Sequence, residues 1–253
     1  MAVDESILEF VGRGKALPTL RLYAWEPPCL SLGYAQPYGD VDLVRLQARG
    51  WEVVRRPTGG RAVLHTDELT YSVIAPLSEP RVAGTVLESY HRLAQALVEA
   101  LNLLSMRVEV NENSAAPRGT STNPVCFEVP STYEITVGGK KLVGSAQARR
   151  KDGVLKHGSL PLTGDLTRIL QVLVFPDEES RTRAADRLLR RATTVETGLG
   201  RAVSWDEAAQ SFIAAFRSVL ALDLQPDNLT PDEKTRTEEL VRVKYGHPSW
   251  MEK

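Results

Sequence analysis

The stretch TYEITVGGKKLVGSAQARRKDGVLKHGSLPL, residues 132–162, decides the fold of this chain. Alternating and β-branched residues on both sides of the adjacent pair Gly138-Gly139 are typical of two strands, and the glycine pair is a strong signal for a two-residue hairpin turn. Such a turn pairs Thr136 with Lys141. A further strand, VLKHGSLPL, is predicted after Asp152-Gly153.

Working outward from this stretch, strands dominate the first half of the chain. They are predicted at Leu20–Trp25, Leu30–Gly33, Trp51–Arg55, 62–65 and 69–75. Helical spacing predicts an amphipathic N-terminal helix ending near Gly12 or Gly14, and helices at Asp40–Arg49, Val82–Leu104, Leu166–Leu173, Glu178–Arg191, Ser204–Leu222 and Pro231–Val243. The polar, breaker-rich segment Asn111–Asn123 is predicted to be a loop. Because strands concentrate before residue 165 and helices after it, the α+β class is favoured over alternating βαβ units.

Composition excludes several classes of protein. The 253 residues are 42% hydrophobic and 25% charged, with a net charge of −1, which leaves no broad positive field for nucleic acid or anionic membranes. No apolar run approaches the ~20 residues that a membrane span needs. The acidic N-terminal segment is unlike a signal peptide, and two cysteines make no disulfide framework. We therefore expect a cytoplasmic protein.

The segment RRPTGGRAVLH, Arg55–His65, is the first that could carry chemistry. Two adjacent glycines let a backbone approach a ligand closely and expose N–H groups, and the flanking arginines could hold a carboxylate or phosphate. The alternative is a glycine turn between two strands with exposed arginines. The spacing does not match a Walker loop.

The segment KKLVGSAQ, residues 140–147, is the second. Gly144, Ser145 and Ala146 interrupt a β-branched pattern, and glycine inside a strand often marks a close approach by a ligand or another backbone. A bulge in the sheet is the alternative. A lysine beside such a floor can polarise a carbonyl group if it faces inward.

The two cysteines differ in context. Cys29 opens an apolar strand, as expected of an inert buried thiol. Cys126 follows a polar loop and Pro124, a place where chemistry is common, and a nearby lysine could lower its pKa. An inert Cys126 remains the alternative. The four histidines lack metal-ligand spacing, and a structural role is the default for each.

Together these segments resemble a known superfamily. RRPTGGRAVLH, LTYSV, GGKKLVGSAQARR and LKHGSLPL, with PCLSLGYAQ near the start and KYGHPSW near the end, are similar in order and spacing to lipoate–protein ligases, octanoyltransferases and biotin ligases. The resemblance covers about Leu20 to Trp250. It implies an α+β catalytic domain with a mixed central β-sheet flanked by helices, forming one domain over residues 1–253 with no C-terminal accessory domain.

The resemblance also implies an acyl pocket between the glycine loop and the KKLVGSA strand. The family lysine corresponds to Lys141, and the family arginine before the glycine loop corresponds to Arg56. The substrate-binding residues that it implies are Arg56, Thr58, Gly59, Gly60, Arg61, Ala62, Val63, Gly144, Ser145, Ala146, His157 and Gly158. Ligases usually carry a third glycine where this chain has Arg61, a departure that weakens any inference of adenylate binding.

The segment VCFEVPSTYE, residues 125–134, looks like that of the cysteine-dependent octanoyltransferases. This similarity implies that octanoyl passes from acyl carrier protein to Cys126 and then to a lysine of a lipoyl domain or of the glycine-cleavage H protein. Lys141 would lower the Cys126 pKa and contact the acyl carbonyl, and no cofactor or metal would be needed. The alternatives are an octanoyl-amidotransferase between lipoyl-type proteins, an ATP-dependent lipoate ligase, and a non-catalytic binder of lipoylated proteins.

Spacing adds one geometric expectation. A straight strand from Cys126 to Thr136 would leave the thiol roughly 33 Å from Lys141. We therefore predict a chain reversal between Val129 and Ser131 that brings Cys126 over the hairpin, facing the glycine loop. An apolar slot for the alkyl chain is predicted to have walls that include Val63, Leu64, Tyr71 and Val143.

Overall fold

The structure of the chain, a computed structural model, describes residues 1–111, 125 and 134–252. The predicted loop Asn111–Asn123 lies outside the described residues from position 112 onward. Cys126 and the predicted reversal between Val129 and Ser131 also lie outside them.

The described residues contain nine strands. They are β1 (Thr19–Tyr23), β2 (Cys29–Leu32), β3 (Glu52–Arg55), β4 (Val63–His65), β5 (Glu68–Ala75), β6 (Glu109–Asn111), β7 (Glu134–Val137), β8 (Lys140–Arg150) and β9 (Gly153–Pro161). Six of them form a sheet in the order β1-β5-β9-β8-β7-β6, and the other three form a sheet in the order β3-β2-β4. The short strand β6 was not predicted, because three residues carry too little periodicity to be recognised.

All neighbours in the six-stranded sheet are antiparallel. The parallel pairing of the predicted mixed architecture lies in the smaller sheet, between β2 and β3. The predicted hairpin is confirmed, since Thr136 pairs with Lys141 across Gly138 and Gly139, and both glycines have positive φ. The α+β class is likewise confirmed.

The helices lie mainly in the second half of the chain. They are α1 (Ala2–Gly12), α2 (Leu43–Ala48), α3 (Val86–Leu103), α4 (Glu178–Arg191), α5 (Val195–Leu199), α6 (Trp205–Leu220), α7 (Pro231–Leu240) and α8 (Pro248–Met251). A 3-10 helix spans Leu166–Val172, and a π-helical turn spans Val241–Tyr245 after α7. The predicted helix Leu166–Leu173 is therefore present as the tighter 3-10 form, and α5 was not predicted.

Capping explains where α3 begins. The prediction started this helix at Val82, but Thr85 accepts a hydrogen bond from the Glu88 amide while the Glu88 carboxylate accepts one from the Thr85 amide. This reciprocal capping box satisfies amide groups that would otherwise lack partners. Gly84, directly before the cap, has a φ of +83° and cannot continue the helix backward.

Helices cover the two faces of the larger sheet unequally. Helices α3 and α6 bury one face, where Tyr71, Leu97 and Phe212 share the largest apolar core. Helix α1 covers part of the other face through Ile7 and Leu8. The smaller sheet has its own apolar cluster, which includes Leu30 and Ile169. The two sheets leave a cavity between them that could hold a ligand.

Within the described part of the chain, the helices are all too short or too polar to cross a bilayer.

Candidate active site

A cavity of about 260 Å³ lies between the two sheets. Its lining combines the glycine loop, the smaller sheet and the centre of the larger sheet: Met1, Tyr23, Ser31, Arg56, Gly59, Gly60, Val63, His65, Thr70, Tyr90, Gly144, Ser145, Ala146, Gln147, His157, Gly158 and Ser159. Nine of the predicted substrate-binding residues are among them. Two segments that lie about 85 residues apart in the sequence therefore meet at one concave surface, as the pocket prediction requires.

Arg56 shapes the glycine loop. Its buried guanidinium donates hydrogen bonds to the Gly59 carbonyl at 3.2 and 2.9 Å and to the Arg61 carbonyl at 2.7 Å. A further donor nitrogen reaches the carbonyl of Ser31 at 3.0 Å. These charge-assisted bonds fix a loop that has no regular secondary structure. Arg56 thus organises the loop as well as lining the cavity.

The other two arginines of this segment do not line the cavity. Arg55 is completely buried and donates to the carbonyls of Gly33, Gln36 and Met251. It ties the smaller sheet to the C-terminal helix α8. Arg61 is partly exposed and lies outside the cavity lining. Arg55 is therefore not one of the exposed arginines that the alternative interpretation, a glycine turn between two strands, would require.

Gly33 and Gly60 touch each other where β2 meets the glycine loop. A Cβ atom on Gly33 would lie 1.9 Å from the Gly60 carbonyl oxygen, far inside van der Waals contact. Gly60 also has a φ of +93°, which favours glycine. Close backbone packing, and not only ligand access, therefore requires glycine in this part of the site.

The floor of the cavity is the pairing of β8 with β9. Gly144 pairs with Ser159, Ser145 with Gly158 and Ala146 with His157. A Cβ atom on Gly158 would lie 2.6 Å from both the Gly144 carbonyl oxygen and the Tyr71 ring.

The β7–β8 hairpin contains one register shift. It falls between Ile135 and Thr136 of β7, opposite Leu142 of β8, and not at Gly144. The small residues of the floor are therefore in regular strand and not in a bulge.

His157 links the floor to the glycine loop. Its Nε2 atom lies 2.6 Å from the Thr58 hydroxyl, and both side chains are buried. Burial lowers the pKa of His157 to about 3, so the imidazole is neutral at pH 7. Thr58 itself does not line the cavity, and its contribution to the site is this hydrogen bond.

Lys141 and Ala62 lie near the site but outside the cavity lining. The Lys141 ammonium is 3.0 Å from the Glu134 carboxylate, and both side chains are largely buried. Ala62 is fully buried and forms an isolated parallel bridge with Val125, which is also buried. Val125 is the only residue between positions 112 and 133 that the structure describes, and it directly precedes Cys126.

Of the four residues predicted to wall an alkyl slot, Val63 lines the cavity. Tyr71 and Val143 instead belong to the apolar core beneath α3 and α6, and the Tyr71 hydroxyl is hydrogen-bonded to Ser145 at 2.7 Å. Leu64 packs against the apolar cluster of the smaller sheet. Strand alternation explains the difference, because neighbouring residues in a strand point to opposite faces.

Sequence reasoning did not identify a polar cluster beside the cavity, of which Ser31 and His65 line the cavity and Glu68 lies behind His65. Ser31 Oγ lies 2.7 Å from His65 Nε2, and His65 Nδ1 lies 2.5 Å from Glu68 Oε1. All three side chains are buried. The available signals were a serine within the apolar strand CLSL and a glutamate three residues after a histidine. Neither signal indicates that the two segments meet.

Cys29 is the other cysteine, and its predicted burial is confirmed. Burial, and secondarily the charge of Glu52, raises the pKa of its thiol to about 12. Such a thiol is protonated and unreactive at neutral pH. Among the residues described, no group of three or more His, Cys, Asp or Glu side chains is arranged to hold a metal ion.

Comparison with known proteins gives consistent results. A family model for the lipoyl protein ligase A/B catalytic domain matches residues 1–217. The octanoyltransferase LipM of Moorella thermoacetica is 44% identical over 254 residues, which covers 100% of this chain and 93% of that protein. The octanoyltransferase LipM of Symbiobacterium thermophilum is 39% identical, with 99% of this chain and 92% of that protein covered.

Two solved structures that share the fold at more than 25% identity are lipoate–protein ligases. A bipartite lipoate protein ligase from Thermoplasma acidophilum, described with its E2 lipoyl domain, superimposes with a TM-score of 0.78 and 28% identity, covering 98% of this chain and 89% of that chain. A lipoate–protein ligase A bound with ATP gives a TM-score of 0.76 and 26% identity, with 99% and 91% covered.

Proposed function

The chain belongs to the lipoyl protein ligase A/B catalytic domain family, and we propose that it is an octanoyltransferase that acts in protein lipoylation through a thioester on Cys126. Its relatives named octanoyltransferase match over the full length of the chain, whereas the ligases share the fold at lower identity. In this proposal residues 1–253 act as a single catalytic domain. The donor is octanoyl-acyl carrier protein, and the acceptor is a lysine of a lipoyl domain or of a glycine-cleavage H protein.

The observation that carries the thioester proposal is the bridge between Ala62 and Val125. It joins Val125, the residue that precedes Cys126 in the sequence, to the end of the glycine loop, whose residues Gly59, Gly60 and Val63 line the cavity. We propose that Cys126 acts beside this loop, because consecutive Cα atoms are about 3.8 Å apart. The bridge supports the predicted folding of the cysteine segment toward residues 56–61.

The first half of the reaction forms the octanoyl-enzyme. The Cys126 thiolate attacks the carbonyl carbon of the donor thioester, a new carbon–sulfur bond forms, and the donor thiolate leaves with the electron pair of the old bond. The substrate is already an activated thioester, so this step requires neither ATP nor a metal. A thiolate is needed because the thiol is a poor nucleophile.

Lys141 is proposed to supply the positive charge for this step. An ammonium within about 4–6 Å of a thiol favours the thiolate and lowers the thiol pKa. The ion pair with Glu134 holds the Lys141 side chain in one position near the start of β8, three residues before Gly144 of the cavity floor. Glu134 also opposes the electrostatic effect of Lys141, so the pair sets how strongly Cys126 is activated.

In the second half, the acceptor lysine amine attacks the octanoyl thioester. An amide forms and the Cys126 thiolate is released, so the enzyme returns to its starting state. The proposed cellular location is the cytoplasm, where thiols stay reduced.

The test is incubation of the purified protein with octanoyl-acyl carrier protein, without ATP, followed by mass spectrometry. One octanoyl group is expected on Cys126, and it should move to apo-H protein or an apo-lipoyl domain when that protein is added. Cys126→Ala should abolish both signals, whereas the matched variant Cys29→Ala should keep them. Modification of the acceptor only when ATP and free octanoate are supplied would instead establish a ligase.

A further inference from the structure

We propose that Ser31, His65 and Glu68 form a proton relay that accepts the proton of the acceptor lysine as its amine attacks the octanoyl thioester. This inference rests on the proposed octanoyl transfer. It concerns a part of the cavity that neither the cysteine step nor Lys141 uses. The three residues lie in the arrangement of a serine, a histidine and a carboxylate that activates hydroxyl groups in many unrelated enzymes.

The donors around the cluster fix the direction of each hydrogen bond. The Arg56 guanidinium, which can only donate, contacts Ser31 Oγ at 3.1 Å. The Ser31 hydroxyl hydrogen is therefore directed to His65 Nε2, 2.7 Å away. His65 Nε2 accepts, and so Nδ1 carries the ring proton and donates it to Glu68.

Glu68 is satisfied as a carboxylate. Besides His65 Nδ1 at 2.5 Å, the hydroxyls of Thr70 and Ser159 donate to its two oxygens. Thr70 in turn accepts from the Trp25 indole N–H at 2.9 Å, so its own hydroxyl hydrogen is free to point to Glu68. These three donors satisfy the Glu68 oxygens, and a carboxylate in this position can stabilise a positive charge on the adjacent imidazole.

The imidazole is held in one orientation. Trp25 stacks on the His65 ring with 4.4 Å between ring centroids and 15° between ring planes. Hydrogen bonds at both ring nitrogens prevent rotation about the ring axis. A relay that is preorganised in this way has little reorganisation to undergo during proton transfer.

The relay reaches the cavity through Ser31. Ser31 and His65 both line it, together with Gly59 and Gly60 of the glycine loop. A hydroxyl oxygen has two acceptor lone pairs, so Ser31 Oγ can accept a second hydrogen bond besides that from Arg56. An amine entering the cavity is the donor of suitable chemistry for that position.

Proton transfer to the relay accompanies formation of the amide bond. The amine nitrogen attacks the octanoyl carbonyl carbon and forms the carbon–nitrogen bond of the amide. Its surplus proton passes to Ser31 Oγ while the Ser31 hydroxyl proton passes to His65 Nε2, and the carbon–sulfur bond breaks to release the Cys126 thiolate. The imidazolium, stabilised by Glu68, then gives the proton to solvent. Positioned acid–base groups typically contribute about 10²–10⁴-fold in rate.

The experiment separates the two halves of the reaction. Octanoyl-enzyme of the wild type and of the Ser31→Ala, His65→Gln and Glu68→Gln variants is prepared with octanoyl-acyl carrier protein, and its discharge is followed by mass spectrometry in a single turnover. The variants should form octanoyl-enzyme at near wild-type rates but discharge to apo-H protein roughly 10²-fold more slowly.

Hydroxylamine is the control acceptor. It is a small, strong nucleophile that is mostly uncharged at neutral pH and can give its surplus proton to water, so it should discharge wild-type and variant octanoyl-enzyme at nearly equal rates. Equal slowing with both acceptors would show a merely structural role and overturn the relay, and so would unchanged discharge to apo-H protein. If His65→Gln does not fold, Ser31→Ala decides, because Arg56 keeps its bond to the Ser31 carbonyl. A wild-type protein that never forms octanoyl-enzyme would refute the proposed function itself.

Discussion

The Lys141 ammonium and the Glu134 carboxylate form an ion pair of 3.0 Å within the β7–β8 hairpin. Glu134 opens β7 and Lys141 follows the glycine turn in β8, so the hairpin brings the two charges together. Both side chains are largely buried, where screening by water is weak and a change in either charge is felt strongly by neighbouring groups.

Variants of this pair should shift the reactivity of Cys126 in opposite directions. Lys141→Ala removes the favourable positive charge, and the pH midpoint of Cys126 alkylation should rise by about one unit or more. Glu134→Gln keeps a hydrogen-bond acceptor for Lys141 but removes the opposing charge, so the midpoint should fall. The measurement is the rate of iodoacetamide labelling against pH, with Lys140→Ala as the matched control. Identical profiles for all variants would remove Lys141 from this role.

Cys29→Ala is expected to leave catalysis intact. With a pKa of about 12, only about one part in 10⁴ of this thiol is ionised at pH 8. Mass spectrometry after brief alkylation at pH 8 should therefore show no label on Cys29 in the folded protein. The substitution should lower the free energy of unfolding by about 1 kcal/mol through lost packing. A folded Cys29→Ala protein without octanoyl transfer would mean that Cys29 is the reactive thiol.

Gly33→Ala should destabilise the protein far more than Gly59→Ala. A methyl group on Gly33 would lie 1.9 Å from the Gly60 carbonyl oxygen, whereas one on Gly59 would meet nothing within 4 Å. Overpacking of this kind costs about 1–3 kcal/mol, and the fixed loop cannot move away without losing the Arg56 hydrogen bonds. Thermal unfolding of both variants tests this, and equal midpoints would show that the loop adapts to the added methyl group.

Lys156→Met should stabilise the protein at pH 7. Lys156 is almost fully buried on β9, and its ammonium has the Tyr90 ring at 4.0 Å as a cation–π partner. Burial lowers its pKa from 10.5 to about 7. The unfolded chain therefore binds a proton more tightly than the folded protein, and wild-type stability should rise with pH from about 7 to about 10.5.

The methionine variant should lose that pH dependence and unfold at a higher temperature at pH 7. Unfolding curves across this pH range provide the measurement, with Lys140→Met as the control for a lysine whose ammonium lies at the surface. A lower midpoint for Lys156→Met at every pH would show that the contact with Tyr90 outweighs the cost of burying the charge.

The sequence by itself determined the structural features that depend on residues close together along the chain, namely turns and helix bounds. The glycine pair fixed the register of Thr136 with Lys141, and helix α4 begins and ends at Glu178 and Arg191, as predicted. Turn geometry and helical periodicity act over a few residues, so they can be read from a short segment. The glycine loop and the KKLVGSA strand line one cavity, but only the family resemblance predicted that they form an acyl pocket, and that role stays a prediction.

Only the tertiary structure decided which side chains share the cavity and with which partners. Ser31 and His65 are 34 residues apart and meet because β2 pairs with β4, and Ser159 reaches Glu68 because β9 pairs with β5. The same packing buried Arg55 away from the cavity and turned Tyr71 into the core. Pairing between distant strands depends on how the whole core packs, and no local pattern in the sequence records that outcome.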